Sequence, residues 1–249
     1  AHEFYHGGLR ARDADGATIF DHVDYATYRD VLREEVKSWT YMKFPFIKAL
    51  GPERGWYRVG PLARVQICDR MTTPLAEAER RKMSAQGGGR PVHGTLFYHW
   101  ARLIEVLHAA ELIRVLLDDP ELLGGEVMAE AGPRREEAVG VIEAPRGTLF
   151  HHYRVGADDL VTYCNLIVST TNNNQAMNAA IRAVATRYLD GREITEGLLN
   201  HIEVAIRAYD PCLSCATHAL GQMPLEIALQ DAAGATISRL ARHGDGSIS

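Results

Sequence analysis

The chain has 249 residues, 46% of them hydrophobic and 24% charged, enough for one large folded domain or two smaller ones. A formal charge of -5, a pI near 6.1 and the lack of a Lys/Arg stripe interleaved with aromatics argue against nucleic acid as a partner. No apolar run approaches the roughly 18 to 20 residues of a membrane span, and the opening Ala1-His2-Glu3-Phe4 lacks a basic-then-apolar targeting pattern, so a cytoplasmic protein with no direct membrane span is expected.

In chain order, the charged stretch Ala26 to Trp39, with scattered apolar residues and ending before Pro45, predicts a short amphipathic helix. Residues 80 to 91 combine charge (Arg80, Arg81, Lys82) with Gly87, Gly88 and Gly89 and predict an exposed loop, the main internal break. From Tyr98 to Leu117, the spacing of Leu103, Ile104, Leu107, Ala110, Ile113 and Leu117 predicts one apolar stripe along a long helix, which Asp118-Asp119-Pro120 stops. The Val-rich and aromatic segments Thr148 to Val155 and Leu160 to Ser169 flank the turn Gly156-Ala157-Asp158-Asp159 and predict a β-hairpin. Asn172-Asn173-Asn174 offer amide caps to a helix carrying Met177, Ile181, Val184 and Tyr188, and another helix follows through Leu198, Leu199, Ile202 and Ile206. Leu225 to Leu229 and Ala235 to Leu240, around Asp231-Ala232-Ala233-Gly234, predict a second hairpin before a polar Gly/Ser tail. The fold class expected is α+β, predominantly helical, with a long helical core and small β-hairpins, and no internal repeat is visible.

Four cysteines, Cys68, Cys164, Cys212 and Cys215, make a poor disulfide framework for a chain of this size. Cys68 and Cys164 read as buried small apolar residues. Cys212 and Cys215 stand two residues apart, and His218 follows at a further spacing of three, so both sulfurs can approach one metal. Alone, C-x-x-C also serves zinc ribbons, iron–sulfur sites and dithiol redox enzymes. A zinc ribbon needs a second pair, which is absent, and a thioredoxin-like motif should open a helix after a strand, whereas this one follows a helix. His151 and His152, adjacent on one strand, point to opposite faces and cannot share a site. Arg64 and Arg102 read as structural ion-pair partners, and Arg146 taken alone as a solvated strand-end arginine.

The run Asp210-Pro211-Cys212-Leu213-Ser214-Cys215-Ala216-Thr217-His218 resembles the D-P-C-x-x-C-x-x-H signature of nickel–iron hydrogenase large subunits at every defined position. Glu143-Ala144-Pro145-Arg146-Gly147 resembles the family's A-P-R-G segment, and Val59-Gly60-Pro61-Leu62-Ala63-Arg64-Val65 another of its recurring stretches. Thr170-Thr171-Asn172-Asn173 and Gly221-Gln222-Met223-Pro224-Leu225 look most like the cytoplasmic, NAD(P)-linked branch. The resemblance implies a nickel–iron centre with cyanide and carbon monoxide on the iron. Cys212 would be a terminal nickel ligand and the base that takes a proton from hydrogen, and Cys215 a bridge between the metals. Arg146 would lie over the open coordination position and donate to a cyanide, and Thr170 would donate to a second one. His218 and the backbone carbonyl of Leu166 would hold a magnesium ion.

One departure from the family pattern is serious. The other cysteine pair, R-x-C-G-x-C near the start of such subunits, is absent, as is the nearby proton-relay glutamate, so the chain reads as the C-terminal part of a longer subunit. Residues 1–218 would be that part, and 219–249 an extension removed by a maturation endopeptidase after His218, once nickel-insertion factors have acted. The reaction implied is reversible oxidation of hydrogen. No iron–sulfur spacing occurs here, so a small subunit with iron–sulfur clusters and a flavin-containing NAD(P) reductase module are the implied partners. Two rivals stay open at this point: a relative of the complex I quinone-site subunit, which lacks the nickel cysteines, and an unrelated zinc or redox module.

Overall fold

The structure, a computed structural model, describes residues 2, 6–40, 42–125, 127, 128, 130, 132–189, 193–213, 225–243 and 247–249. It opens on two antiparallel pairs. Strands β1 (Leu9–Arg12) and β2 (Thr18–Val23) form the first, and β3 (Leu32–Val36) and β4 (Lys43–Ile47) the second. The helix predicted from Ala26 to Trp39 does not form. A 3-10 helix at Tyr25–Asp30, capped by the Asp24 side chain, leads instead into β3. Pairing Leu32 with Ile47 buries both against Tyr28, Phe150 and Ile167, and this non-local contact outweighs the local helical pattern.

Four helices follow: α1 (Gly51–Arg54), α2 (Pro61–Ile67), α3 (Pro74–Ala85) and α4 (Phe97–Leu117). The loop predicted at 80–91 is shorter than expected, because Arg80 to Ala85 complete α3. Pro74 starts that helix, and Glu77 holds Arg80 and Arg81 one turn on, so the charged residues lie on a helix face. Helix α4 stands where the periodicity placed it, but its apolar residues divide between two faces. Tyr98, Ala101, Ile104 and His108 are buried. Leu103, Ile113 and Leu117 are 66%, 59% and 67% exposed, on a stripe the sequence would have sent inward.

The predicted hairpin is β6 (Gly147–Val155) with β7 (Val161–Ile167), and β5 (Glu137–Ala144) adds a third antiparallel strand beside β6. A single helical turn, α5 (Ser169–Asn172), then passes into α6 (Asn174–Tyr188) and α7 (Glu196–Ala208), whose start is capped by the Thr195 hydroxyl. Strands β8 (Leu225–Gln230) and β9 (Thr236–Arg242) form the second predicted hairpin. The main core joins Leu62 and Val65 of α2, Met83 of α3, Tyr98 and Ile104 of α4, Met177 of α6 and Tyr209 just past α7. A separate cluster seats Ile227, Leu229 and Leu240 of the last hairpin against Ile194, Leu198 and Ile202. The α+β class with small hairpins is as expected. Among the described residues, no helix is long and apolar enough to cross a membrane.

Candidate metal centre

The turn between β5 and β6 is Ala144-Pro145-Arg146-Gly147, and the segment Val59-Gly60-Pro61 that leads into α2 lies directly against it. A Cβ on Gly60 would stand 2.8 Å from the Arg146 carbonyl oxygen, and one on Gly147 would stand 2.8 Å from the Gly60 nitrogen and collide with the Val59 side chain. Both glycines also hold positive φ, +93° and +136°. Only glycine meets both demands, so two stretches far apart in sequence share one close backbone contact.

Helix α5 closes the other side. Ser169 Oγ donates to the Gly147 carbonyl at 2.7 Å, and Asn172 Nδ2 donates to the Thr148 carbonyl at 2.8 Å. The Asn173 side-chain oxygen accepts the Val59 N–H at 2.9 Å, and Asn174 Nδ2 donates to the Lys43 carbonyl at 2.9 Å. The three asparagines are therefore not helix caps, as the sequence predicted. Asn173, at the start of α6, makes no side-chain cap bond. Buried backbone groups on neighbouring segments need partners, and these amides supply them.

Beyond α7 the chain turns sharply at Asp210, a non-glycine residue at φ +52°. Tyr209 anchors the turn, its hydroxyl 3.2 Å from the Ala176 carbonyl and its ring 4.7 Å from that of Tyr98. Arg146 Nε donates to the Asp210 carbonyl at 2.8 Å and lies 3.4 Å from its carboxylate. The Cys212 N–H donates to Thr170 Oγ1 at 3.0 Å. Three of the residues singled out in the sequence, Arg146, Thr170 and Cys212, thus converge from a strand turn, a buried helical turn and the end of α7. Arg146 is not the solvated strand-end arginine it would be in isolation.

Leu166 lies in β7 opposite His151 and is half-buried; no described contact joins it to Arg146 or Cys212. Cys215 and His218 lie outside the described residues, as does the Gly221–Pro224 stretch. Cys68 is half-buried, its thiol pushed up to about 11 by burial. Cys164 is exposed, contrary to the reading of it as core, since it falls on the open face of β7. His152 is buried and satisfied by Tyr28 and Glu137. Arg64 forms the expected ion pairs, with Glu105 and Glu143.

The donor set fits half of a thiolate-held metal pair. It offers a soft sulfur ligand, a guanidinium fastened to Asp210 two residues before that cysteine, and a buried hydroxyl that fixes the ligand's backbone. Comparison with known proteins decides what the set belongs to. The family model for nickel-dependent hydrogenases matches residues 1–218.

This chain belongs to the nickel-dependent hydrogenase family.

It is 51% identical over 243 residues to the NAD-reducing hydrogenase HoxS subunit beta of Cupriavidus necator, covering 96% of this chain and 50% of that protein. Among solved structures, the NAD+-reducing NiFe hydrogenase in the H2-reduced state matches with a TM-score of 0.82 and 58% identity, over 87% of this chain and 48% of that one. The Ni-Fe-Se hydrogenase of Desulfovibrio vulgaris Hildenborough matches with a TM-score of 0.58 and 18% identity, which shows a shared fold alone. The chain spans about half the length of these hydrogenases. Family membership sets aside the unrelated zinc or redox module. It also gives the close approach of Gly60 and Gly147 its context, since both glycines sit in segments picked out for their resemblance to hydrogenases.

Proposed function

We propose that the chain is the C-terminal half of a hydrogenase large subunit that oxidises and forms molecular hydrogen at a nickel–iron centre. Electrons pass through a small iron–sulfur subunit to a flavin-containing module that reduces NAD(P), which makes the enzyme cytoplasmic. The observation that carries this reading is the meeting of Arg146, Thr170 and Cys212 around the Asp210 turn. When bound, the metal pair, its iron carrying cyanide and carbon monoxide, supplies an electrophilic, redox-active position at which hydrogen is polarised.

In this reading Cys212 and Cys215 would hold the metal pair through their thiolates, and Cys212 Sγ would take the proton released from hydrogen. The hydrogen bond from the Cys212 N–H to Thr170 fixes the ligand's backbone. With that hydroxyl accepting from the Cys212 N–H, its own hydrogen would be available to donate to a cyanide. Arg146 has Nε tied to the Asp210 carbonyl, and its remaining N–H groups would donate to the metal pair's ligands. A cation held there favours the thiolate over the thiol. His218 and the Leu166 carbonyl would hold a magnesium ion. The second cysteine pair comes from polypeptide in the half of the relatives' length not spanned here.

The tail, residues 219–249, is removed after nickel insertion by a dedicated endopeptidase. The family match ending at residue 218 supports that boundary, and the longer alignment to the C. necator protein, which reaches past it, supports a tail in the unprocessed relative.

The decisive experiment expresses the complete reading frame with its small subunit and maturation factors. Nickel measured by plasma mass spectrometry, and hydrogen-dependent reduction of viologen and NAD+, are expected in the wild type and absent in Cys212→Ser. Purified protein that holds zinc or no metal, and is inactive, refutes the assignment. An active enzyme retaining residues 219–249 refutes the processing step alone.

A further inference from the structure

Arg64 is buried at the end of the first turn of α2, 5% exposed, and makes at least five hydrogen bonds with the described residues. Nε and Nη2 form a two-pronged pair with the Glu105 carboxylate of α4, both at 2.7 Å. Nη1 donates to Glu143 and to the Ala144 carbonyl, both at 2.9 Å, and Nη2 also donates to the Pro145 carbonyl at 2.9 Å. Glu105 accepts from His2 as well, at 2.9 Å.

We propose that Arg64 is a positioning residue for Arg146: it grips the carbonyls of the two residues immediately before Arg146 and so fixes where that guanidinium stands over the metal site. The proposal rests on the role given to Arg146 above. An ion pair with Glu105 alone would neutralise a buried arginine. The planar fork has a second edge, and that edge is directed at Ala144 and Pro145, on the backbone turn that carries Arg146. Gly60, in the same segment as Arg64, lies against the Arg146 carbonyl and closes the turn from the other side. Arg146 in turn reaches Asp210, two residues before Cys212. The path from the α4 carboxylate to the metal-binding segment therefore runs through bonded contacts at every step.

The pair is ionised. Burial by itself would raise the Glu105 carboxyl, but hydrogen bonds from Arg64 and His2 outweigh it and hold the group below the ordinary carboxylate range. Burial likewise opposes the charge on Arg64, and Glu105 more than restores it. Lysine at position 64 would keep the charge and the attraction to Glu105. It could not serve two carbonyls and two carboxylates from one nitrogen. Arg64→Lys therefore separates charge from grip.

The test uses the full-length subunit, matured with its small subunit, as wild type, R64K, R146K and the double variant. R64K is expected to lower kcat for hydrogen oxidation by about tenfold in the wild-type background. In the R146K background it should change kcat by less than about twofold, because the residue it acts through is already altered. Hydrogen exchange on the same proteins is expected to speed up in the peptide spanning residues 144–150 and to stay unchanged in α4. Equal loss of kcat from R64K in both backgrounds, or an unchanged 144–150 peptide, overturns the proposal. If R64K does not accumulate, E105Q loosens the anchor without removing the fork and is expected to show the same non-additivity with R146K; additive loss there also overturns it. A wild type without nickel or hydrogen activity refutes the functional reading instead, and the exchange arm then still decides whether Arg64 holds the turn.

Discussion

The inner face of α4 turns Tyr98, Ala101, Ile104 and His108 into the core, while its outer face turns Leu103, Val106, Ile113 and Leu117 to solvent. The inner face also reaches the site. Tyr98 donates to the Val59 carbonyl at 3.2 Å, Arg102 donates to the Ala208 carbonyl at 3.1 Å, and Glu105 anchors Arg64. With the exposed Ala110 between Val106 and Ile113, the outer residues follow the 3-4-3-4 spacing of a helix meeting another helix, yet nothing among the described residues covers them. A helix apolar on both sides has the pattern of one buried all round. The site divides in the same way. One cysteine pair of the motif is present, and this chain fastens Arg146 to Asp210 through Nε. Both observations accord with a chain spanning about half the length of its relatives. Perturbing the inner side should cost stability and site geometry together, and perturbing the outer side should cost this chain little.

The largest effect is expected at Tyr98, which is fully buried, stacks near Tyr209 and hydrogen-bonds Val59. Tyr98→Ala empties an aromatic volume between α4 and the Asp210 turn and should cost about 3–5 kcal/mol in urea unfolding of the chain. Tyr98→Phe keeps the packing, loses one hydrogen bond and should cost about 1 kcal/mol. Equal losses in the two variants would mean that the hydroxyl, not the ring, holds α4 to the site. Gly147→Ala comes next. Its φ of +136° and the contact with Val59 and Gly60 force the turn apart, at roughly 2 kcal/mol or more. In the full-length enzyme the same change should lower nickel content, because it separates Arg146 from the segment that leads into α2.

A smaller and pH-dependent effect is expected at Glu77, which ties α3 to the loop before it. The bond from Arg80 lowers its carboxyl most, burial opposes, and the Met71 N–H and Arg81 add to the lowering, so it falls from 4.5 to about 2. A folded-state value below the unfolded one means that the stabilisation is complete above about pH 4.5 and fades as pH falls towards 2. Glu77→Gln should therefore be less stable than wild type by about 1 kcal/mol at pH 7. The two melting curves should converge near pH 2; a gap that stays constant with pH would show that shape, not charge, stabilises the loop.

Periodicity made α4, α6, α7 and the hairpins β6–β7 and β8–β9 legible, because each is set by neighbours within one element or across one turn. Strand β3 was not, since Leu32 is placed by Ile47 across a pairing that a local window cannot see. Arg64 reads as a structural ion-pair partner, but a local window does not name its partners. Its partners lie 41 residues away at Glu105 and 79 to 81 residues away at Glu143, Ala144 and Pro145. The available signal was Gly60-Pro61 just ahead of it, a glycine where backbone had to approach backbone. The asparagines were legible as polar and local, but which backbone groups they satisfy depends on β4, β6 and the segment before α2. Arg146 and Thr170 were found through the family resemblance, not through physical pattern, since a strand-end arginine and a buried threonine carry no chemical mark of their own, whereas Cys212 was marked by its spacing from Cys215 and His218.

The smallest effect belongs to the outer face of α4, and it separates the two sides of the helix most sharply. Leu103→Glu and Ile113→Glu replace side chains 66% and 59% exposed, so little apolar burial is lost within this chain. Unfolding free energy should change by no more than about 0.5 kcal/mol. Self-association should fall, because a contiguous apolar stripe in water is an adhesive surface and a carboxylate every few turns interrupts it. Light scattering coupled to size exclusion, run on wild type and the double variant at several concentrations, measures this directly. In the full-length subunit the same pair should behave oppositely and sharply reduce soluble yield, if the rest of the polypeptide lies on that stripe. Unchanged yield there would mean that the outer face stays open in the complete protein, and the contrast between the two sides of α4 would then be a property of its surface rather than of a missing neighbour.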